Sequence, residues 1–564
     1  MDAGFSHNGK TLLSGVDPAG KAERVAQAAA IADRTLYLCP SPLFGFGLEL
    51  LLSRLADAPN SALLCVEADP ELFPLSLIYF PAALRENPRL RLTNLCDNAS
   101  LCAFVRQEWG PRAFRRVEMI RLNGGWQLFP ELYDSLAQSL RREIALEWGN
   151  AMTLTRLGRL YIRNALRNLS LLPLCPSLGQ LSFGGDPTLV LGAGPSLDRF
   201  LDASARFGEA HRLPNSRPFR IVCVDTALPA LRERGIQPDL SVILESQHWN
   251  LADFTGLSGW SVPAAMDLSA LPRSGTVLSG GLYLFFTPWT KLAIFRRLES
   301  AGLLPAAVPP MGSVGLSAVA IARRLTSGTI ITAGLDFSFT LDSYHARSTG
   351  GHLTRLRRQN RFEPLLNAQA AFNDGVFSTA SKAGGRVLSN PALRHYRDLF
   401  EREFGATQDN AGMKIFDISG DGLPLGIATL SVDDALDALC GGFGNGIIAG
   451  TVDIAAGGQK KFPPGTEAAA GNLRAFVRAE QERLVLLRNM LTGNAPMDHG
   501  TLDSLIDECD YLWAHFPDYA AAPDRRPGRA ELETGSPPAI SFLKRLRVEI
   551  DPFLRLWDLA LKNQ

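Results

Sequence analysis

The chain has 564 residues, 46% of them apolar and 20% charged, with 57 basic side chains balanced by 57 acidic ones. That length exceeds what a single core organises and points to two to four domains; the neutral balance gives no bulk attraction to nucleic acid or to an anionic membrane. Eight cysteines, at positions 39, 65, 96, 102, 175, 223, 440 and 509, show neither Cys-x-x-Cys nor Cys/His spacing. They read as reduced core residues of a cytoplasmic protein, and no metal is expected. The N-terminus has no basic start followed by an apolar run, so no signal peptide is expected. One uncharged stretch, 301–322, is long enough to cross a bilayer, but Pro305, Pro309 and Pro310 break it, so no membrane span is expected.

The first segment, to about residue 180, alternates strand and helix. Thr35 to Cys39 and Ala62 to Val66 predict strands, with a Gly45-Phe46-Gly47 turn and a helix from Leu48 to Leu55 between them. The second strand ends in Glu67 and Asp69, an order similar to the cofactor end of a methyltransferase-like Rossmann unit. An acid there can bind ribose hydroxyls or simply mark an exposed strand end, and we favour a degenerate structural or docking domain. Helical spacing from about Trp126 to Leu172 leads into a proline-rich connector at 171–176, the first expected boundary.

The central segment, 181–440, is organised around Thr188-Leu189-Val190-Leu191-Gly192-Ala193-Gly194-Pro195-Ser196. This reads as strand, glycine turn and helix, with Ser196 as cap and the helix's free amides as a seat for a phosphate. A Gly-x-Gly after a strand is also an ordinary tight turn. It is not the dinucleotide fingerprint, since Leu197 stands where a third glycine belongs, and a Walker lysine is missing. Arg220 to Val224 predicts a doubly buried parallel strand ending at Asp225-Thr226, and Leu240 to Leu244 another ending at Glu245. Gly194, Asp225 and Glu245 would share the carboxyl edge, where open α/β sheets place their ligands. Further strands are expected at 276–279 and within the aromatic run Tyr283 to Trp289. Gly312-Ser313 opens a small-residue helix through Leu325, a second candidate anion seat. Ile330 to Ala333 then runs into Gly334-Leu335-Asp336 and on to Tyr344-His345-Ala346.

This ordered series, Gly-Ala-Gly-Pro-Ser-Leu, Val-Asp-Thr-Ala, Gly-Ser-Val with its small-residue helix, and Gly-Leu-Asp-Phe with Tyr344-His345, resembles the central domain of the motility-associated factor (Maf) proteins. Those are flagellin glycosyltransferases, and the series is also similar to bacterial sialyltransferases. The resemblance covers about 186–440. It implies a CMP-activated nonulosonic acid as donor, Ser/Thr of flagellin as protein acceptor, and inversion without an obligatory metal. By the same resemblance, Gly192, Ala193, Gly194, Pro195 and Ser196 would line the nucleotide site with Asp225, Thr226, Glu245 and Asp336. Gly312 and Ser313 would hold the donor, Tyr344 would assist the leaving phosphate, and His345 or His352 would activate the acceptor hydroxyl. Ser338 stands where a first tyrosine would be. Two rivals remain: an ATP- and magnesium-dependent 6-hydroxymethylpterin pyrophosphokinase, for which the strand end at Glu245 offers a single carboxylate, and a motility-associated binding module without catalysis.

Lys414 to Pro424 reads as an edge strand and turn closing the domain, and the basic run Arg355-Leu356-Arg357-Arg358 as a solvated face or a contact for an anion. Glycine-rich 441–446 and 457–458 predict a flexible joint. The third segment, 441–564, carries helical spacing over 473–490, 502–513 and 540–561, interrupted by the Pro-rich stretch 523–538. The fold class is therefore α/β: Rossmann-like parallel sheets in the N-terminal and central domains with an α-helical C-terminal domain, which could recognise acceptor, form a homo-oligomer or cover the core.

Overall fold

The structure, a computed structural model, describes residues 4–110, 112–203, 212–362, 373–405, 414–440, 466–493, 498–520 and 526–562. The expected joint at 441–446 and 457–458 lies outside the described residues. The chain divides into two compact units, one comprising 1–158 and 513–527, the other 159–512 and 528–564.

Unit 1 opens with an antiparallel hairpin, β1 (Phe5–His7) and β2 (Lys10–Leu13). A four-stranded sheet follows, made of β3 (Thr35–Pro40), β4 (Ala62–Val66), β5 (Leu90–Thr93) and β6 (Arg116–Met119) in the order β5-β4-β3-β6, all pairs parallel. Every residue of β3 and β4 is buried, which is why both read as unbroken apolar runs. The chain steps from β3 to β4 to β5 and then returns to the far side of β3. The carboxyl ends of β3 and β6 are thus a topological switch point.

Unit 2 is built on an eight-stranded parallel sheet. Its strands are β7 (Thr188–Leu191), β8 (Arg220–Val224), β9 (Leu240–Ile243), β10 (Ala264–Asp267), β11 (Leu282–Phe285) and β12 (Ile330–Ala333). A small antiparallel pair, β13 (Phe377–Ala380) and β14 (Arg386–Ser389), precedes the last two strands, β15 (Ile415–Ile418) and β16 (Thr429–Leu430). The order is β11-β10-β9-β8-β7-β12-β15-β16, so the switch point lies between β7 and β12. The Val314–Leu325 helix packs on the sheet through a face that includes Gly315, Leu316, Ala318, Val319 and Ala322, all buried. Small side chains allow that close approach, so the part of the uncharged stretch within the helix is core, whereas Ala301, Gly302, Ala307, Pro309 and Pro310 ahead of it are exposed. Among the described residues no helix is long and apolar enough to cross a membrane.

Three expectations differ from the structure. Residues 276–279 form no strand, because Ser274–Thr276 is a 3-10 turn and the sheet is continued by Leu282–Phe285. Ile415–Ile418 is an inner strand flanked by β12 and β16, not the edge. The third segment is not separate either, since all of it that is described except 513–520 and 526–527 belongs to unit 2. The cause is a set of partly buried polar contacts. Glu480 on the Thr466–Thr492 helix receives Arg297 through Nε and Nη2 at 2.7 and 2.9 Å, and Asp510 accepts the Ala293 amide that opens the Ala293–Ser300 helix. Such charge-assisted contacts fix docking geometry as well as adding energy.

The Pro130–Asn168 helix, 39 residues long, begins in unit 1 and ends in unit 2. Its last turns carry two buried amides: Asn164 donates to the carbonyls of Ser246 and Ser269, and Asn168 to those of Leu268 and Ala270. These carbonyls belong to the loops after β9 and β10, so the helix end fixes the carboxyl edge of the central sheet.

Candidate functional site

At the switch point the connections after β7 and β12 press directly on each other. Gly192 N donates to Ala333 O and Gly194 N to Gly334 O, both at 2.8 Å. A Cβ on Gly192 would sit 2.3 Å from Gly334 O, and one on Gly194 2.5 Å from Asp336 Oδ2. The glycines are therefore required by contact of the protein with itself. Ser196 does not leave its amide to an outside anion. Its N–H donates to Asp336 Oδ2 at 2.7 Å and its Oγ to Asp336 Oδ1 at 2.5 Å. Asp336 is buried, so Ser196 and Asp336 satisfy each other where the sequence suggests they face a ligand. Burial raises the Asp336 carboxyl to about 6, with Lys382 and Ser196 opposing that shift. Pro195 precedes the Ser196–Ala203 helix, Ala193 O accepts from Ala346 N at 2.9 Å, and Ser338 is buried.

The ends of β8 and β9 hold a different group. Asp225 Oδ1 accepts the Thr226 amide at 2.9 Å, while its Oδ2 is buried with no well-formed hydrogen bond. Burial, then the carboxylate of Asp253, pushes Asp225 to about 7, against the opposing effect of the Asn250 side chain. Asp253, whose Oδ2 accepts from Thr226 Oγ1 at 3.1 Å, is pushed by its own burial to about 6. Glu245 is exposed nearby and raises both. Two acids held near neutrality by burial are a recurrent mark of functional sites.

The rim continues through phenols. Tyr161 packs edge-on to Trp289, ring centroids 5.2 Å apart, and burial together with Glu245, Asp267 and Tyr396 pushes its hydroxyl to about 12. Tyr396 lies against Gly312, where a Cβ would come within 3.1 Å of its ring. Gly312 adopts φ +68°, a conformation glycine takes without strain, and Ser313 follows as N-cap with no side-chain cap bond, so the first amides of Val314–Leu325 are not taken by it. Burial, with Tyr344 as neighbour, raises Tyr396, and burial likewise raises Tyr344, partly offset by its hydrogen bond with Asn390.

The two histidines differ. His345 meets Tyr344 edge-on at 4.9 Å, and burial followed by the Arg355 charge lowers it to about 4. His352 Nδ1 accepts the Ser348 amide at 3.0 Å, in the first turn of the Gly350–Arg358 helix capped by Thr349. A neutral His352 must then carry its proton on Nε2, which makes it a donor. Among the described residues neither ring nitrogen of His345 has a hydrogen-bond partner, so it is the histidine available as an acceptor of protons. The basic run 355–358 lies on this same helix.

Asp225, Thr226, Glu245, Gly312, Ser313, Tyr344 and His345 therefore lie along one rim. Asp253, Asn250, Tyr161 and Tyr396 join them without any local signal in the sequence; each comes from a helix or 3-10 turn distant from the strand ends. Among the described residues no cluster of three or more Asp, Glu, His or Cys side chains is placed to hold a metal ion.

Residues 161–342, which contain β7 to β12, six of the eight strands of the sheet, match the family model described as 6-hydroxymethylpterin diphosphokinase MptE-like. A protein of Treponema pallidum (strain Nichols), described as an uncharacterized protein, is 31% identical over 549 residues, covering 95% of this chain and 90% of the relative. Among solved structures, a Maf glycosyltransferase from Magnetospirillum magneticum AMB-1 superposes with a TM-score of 0.50 at 16% identity, covering 99% of this chain and 88% of that one. At that identity the likeness speaks for the fold. The chain thus belongs to one family with the Treponema protein, with which it shares most of its length, matches the MptE-like family model over 161–342, and shares its α/β fold with the Magnetospirillum protein.

Proposed function

We propose that the protein is a glycosyltransferase whose rim, from Asp225 to His345, binds a nucleotide-activated sugar, with a CMP-nonulosonic acid as donor and a flagellin Ser/Thr hydroxyl as acceptor in the cytoplasm. The observation that carries this reading is the gathering, on one sheet edge, of a buried acid with one oxygen that has no well-formed hydrogen bond, a helix N-terminus without a side-chain cap, protonated phenols and a neutral imidazole. Asp225 and Thr226 suit the ribose hydroxyls, and the amides after Gly312-Ser313 suit the phosphate. As the bond from the anomeric carbon to the phosphate oxygen breaks, negative charge collects on CMP, where those amides and the Tyr344 or Tyr396 hydroxyl stabilise it. The acceptor oxygen attacks from the opposite face and gives its proton to His345, which is unprotonated above about pH 4. Tyr396 stands in for the tyrosine that Ser338 replaces.

The test is slow hydrolysis of a CMP-sugar without acceptor, together with calorimetric binding of CMP. Loss of hydrolysis in His345→Gln with CMP binding retained supports the reading. Absence of both CMP binding and turnover in the native chain overturns it. The MptE-like match over 161–342 favours a second reading, pyrophosphoryl transfer from ATP, which predicts magnesium dependence and release of AMP instead.

A further inference from the structure

Unit 1 carries an apolar surface that the proposed chemistry does not use. Residues 72–84, Leu-Phe-Pro-Leu-Ser-Leu-Ile-Tyr-Phe-Pro-Ala-Ala-Leu, hold no charge, and the Leu72–Tyr79 helix within them is apolar on every side. Leu72, Ser76 and Phe80 face the core, whereas Leu77, Ile78 and Tyr79 are 40%, 68% and 61% exposed and Pro74 lies exposed beside them. Phe44 and Phe46 extend the patch through edge-on ring contacts, Phe44 with Tyr79 at 5.3 Å and with Phe46 at 6.2 Å. Adjoining apolar side chains left in water mark a surface made for association.

The charges at its ends say what covers it. Glu71, exposed, precedes the helix as its N-cap residue, and Arg85 lies at the opposite end, where its Nη1 donates to Leu77 O at 3.0 Å. We propose that this face binds a second copy of the chain, with the two Leu72–Tyr79 helices antiparallel about a two-fold axis. That arrangement covers Leu77, Ile78 and Tyr79 on both copies. It sets Glu71 of one protomer against Arg85 of its partner twice over, as an isologous contact requires. Antiparallel helices also align their opposed dipoles favourably. Glu71, Arg85 and the exposed Glu86 beside it leave the patch edge without net positive charge, which gives an anionic lipid surface nothing to hold. The patch is small, so the dimer belongs to the weak, concentration-dependent class.

Sedimentation equilibrium of the full chain over about a hundredfold range of concentration tests this. The native chain should double in apparent mass, and Ile78→Asp should stay monomeric with an unchanged circular dichroism spectrum. Glu71→Arg or Arg85→Glu alone should weaken dimerisation roughly tenfold by turning two attractions into repulsions, and the double exchange should restore it. A native chain that is monomeric throughout, a dimer indifferent to Ile78→Asp, or a double exchange no better than either single change overturns the proposal. So does monomeric binding to phosphatidylcholine/phosphatidylserine vesicles that Ile78→Asp abolishes.

Discussion

The two parallel sheets of this chain carry acids at the same kind of place and treat them in opposite ways. In unit 1, Glu67 at the end of β4 is buried and held by the chain itself: Ser41 Oγ donates to its Oε2 at 2.8 Å and the Asp69 amide to its Oε1 at 3.2 Å. The neighbouring Asp69 caps the start of the next helix through the amides of Glu71 and Leu72, and also takes His7 from the β1–β2 hairpin at 3.0 Å. In the central sheet Asp336 is similarly closed off by Ser196, but Asp225 keeps one buried oxygen with no well-formed hydrogen bond. A strand-end acid is thus no indicator of a ligand by itself. What distinguishes the two edges is whether the protein supplies every hydrogen bond the acid needs.

The hardest way to break this contrast is to remove the counter-charge beneath the central edge. Lys382 pairs with Asp417 at 2.5 Å, both buried, and Asp417 also accepts from Thr332 Oγ1. Lys382→Met leaves two buried carboxylates, Asp417 and Asp336, without their cation, and should cost roughly 3–5 kcal/mol of stability, read as a large fall in the thermal midpoint of unit 2.

Next in size is the pH dependence. Glu67 is raised from 4.5 to about 7 and Asp225 from 3.8 to about 7. A carboxyl whose folded pKa lies above its unfolded one binds its proton more tightly in the folded state. Its stabilisation is complete below about pH 4 and is lost as pH rises toward 7. Glu67→Gln and Asp225→Asn should each flatten that decline, by about 3 kcal/mol between pH 4 and 8. Denaturant titrations at several pH values will check both.

The same pair of substitutions should part company in function. Asp225→Asn should reduce CMP-sugar hydrolysis by about a hundredfold while Glu67→Gln leaves it unchanged, since on our reading only the former acid meets substrate. Equal losses would erase the distinction between the two edges. The smallest effect belongs to Gly312→Ala, which adds a Cβ 3.1 Å from the Tyr396 ring at a positive φ. About 1 kcal/mol of stability should be lost, with a larger proportional loss in CMP affinity as the helix N-terminus shifts.

Much of the architecture was readable from local pattern. The runs Thr188–Leu191, Arg220–Val224, Leu240–Ile243 and Ile330–Ala333 are short, apolar and punctuated by glycine, proline or an acid, so they announce buried parallel strands. Ala264–Asp267 escaped notice because alanine and methionine carry no strand preference. The placement of the C-terminal helices depends on Arg297 meeting Glu480, 183 residues away, and no periodicity encodes such a contact. The site divides along the same line. Asp225 and Gly312 stand at element ends and were visible, whereas Asp253, Tyr161 and Tyr396 are brought to the rim only by packing. The Ser196–Asp336 bond spans 140 residues and changes the meaning of the glycine turn from ligand cradle to internal latch.

The paired amides of Asn164 and Asn168 bear on how this protein can be cut down for study. A truncation that begins at the proline-rich connector, or at residue 181 where the composition changes, would discard both side chains and strand the four carbonyls they serve. The shortened polypeptide would keep every strand of its sheet yet lose the splint across the loops following β9 and β10. Fragments starting ahead of Asn164 are the ones fit for crystallisation and ligand soaking.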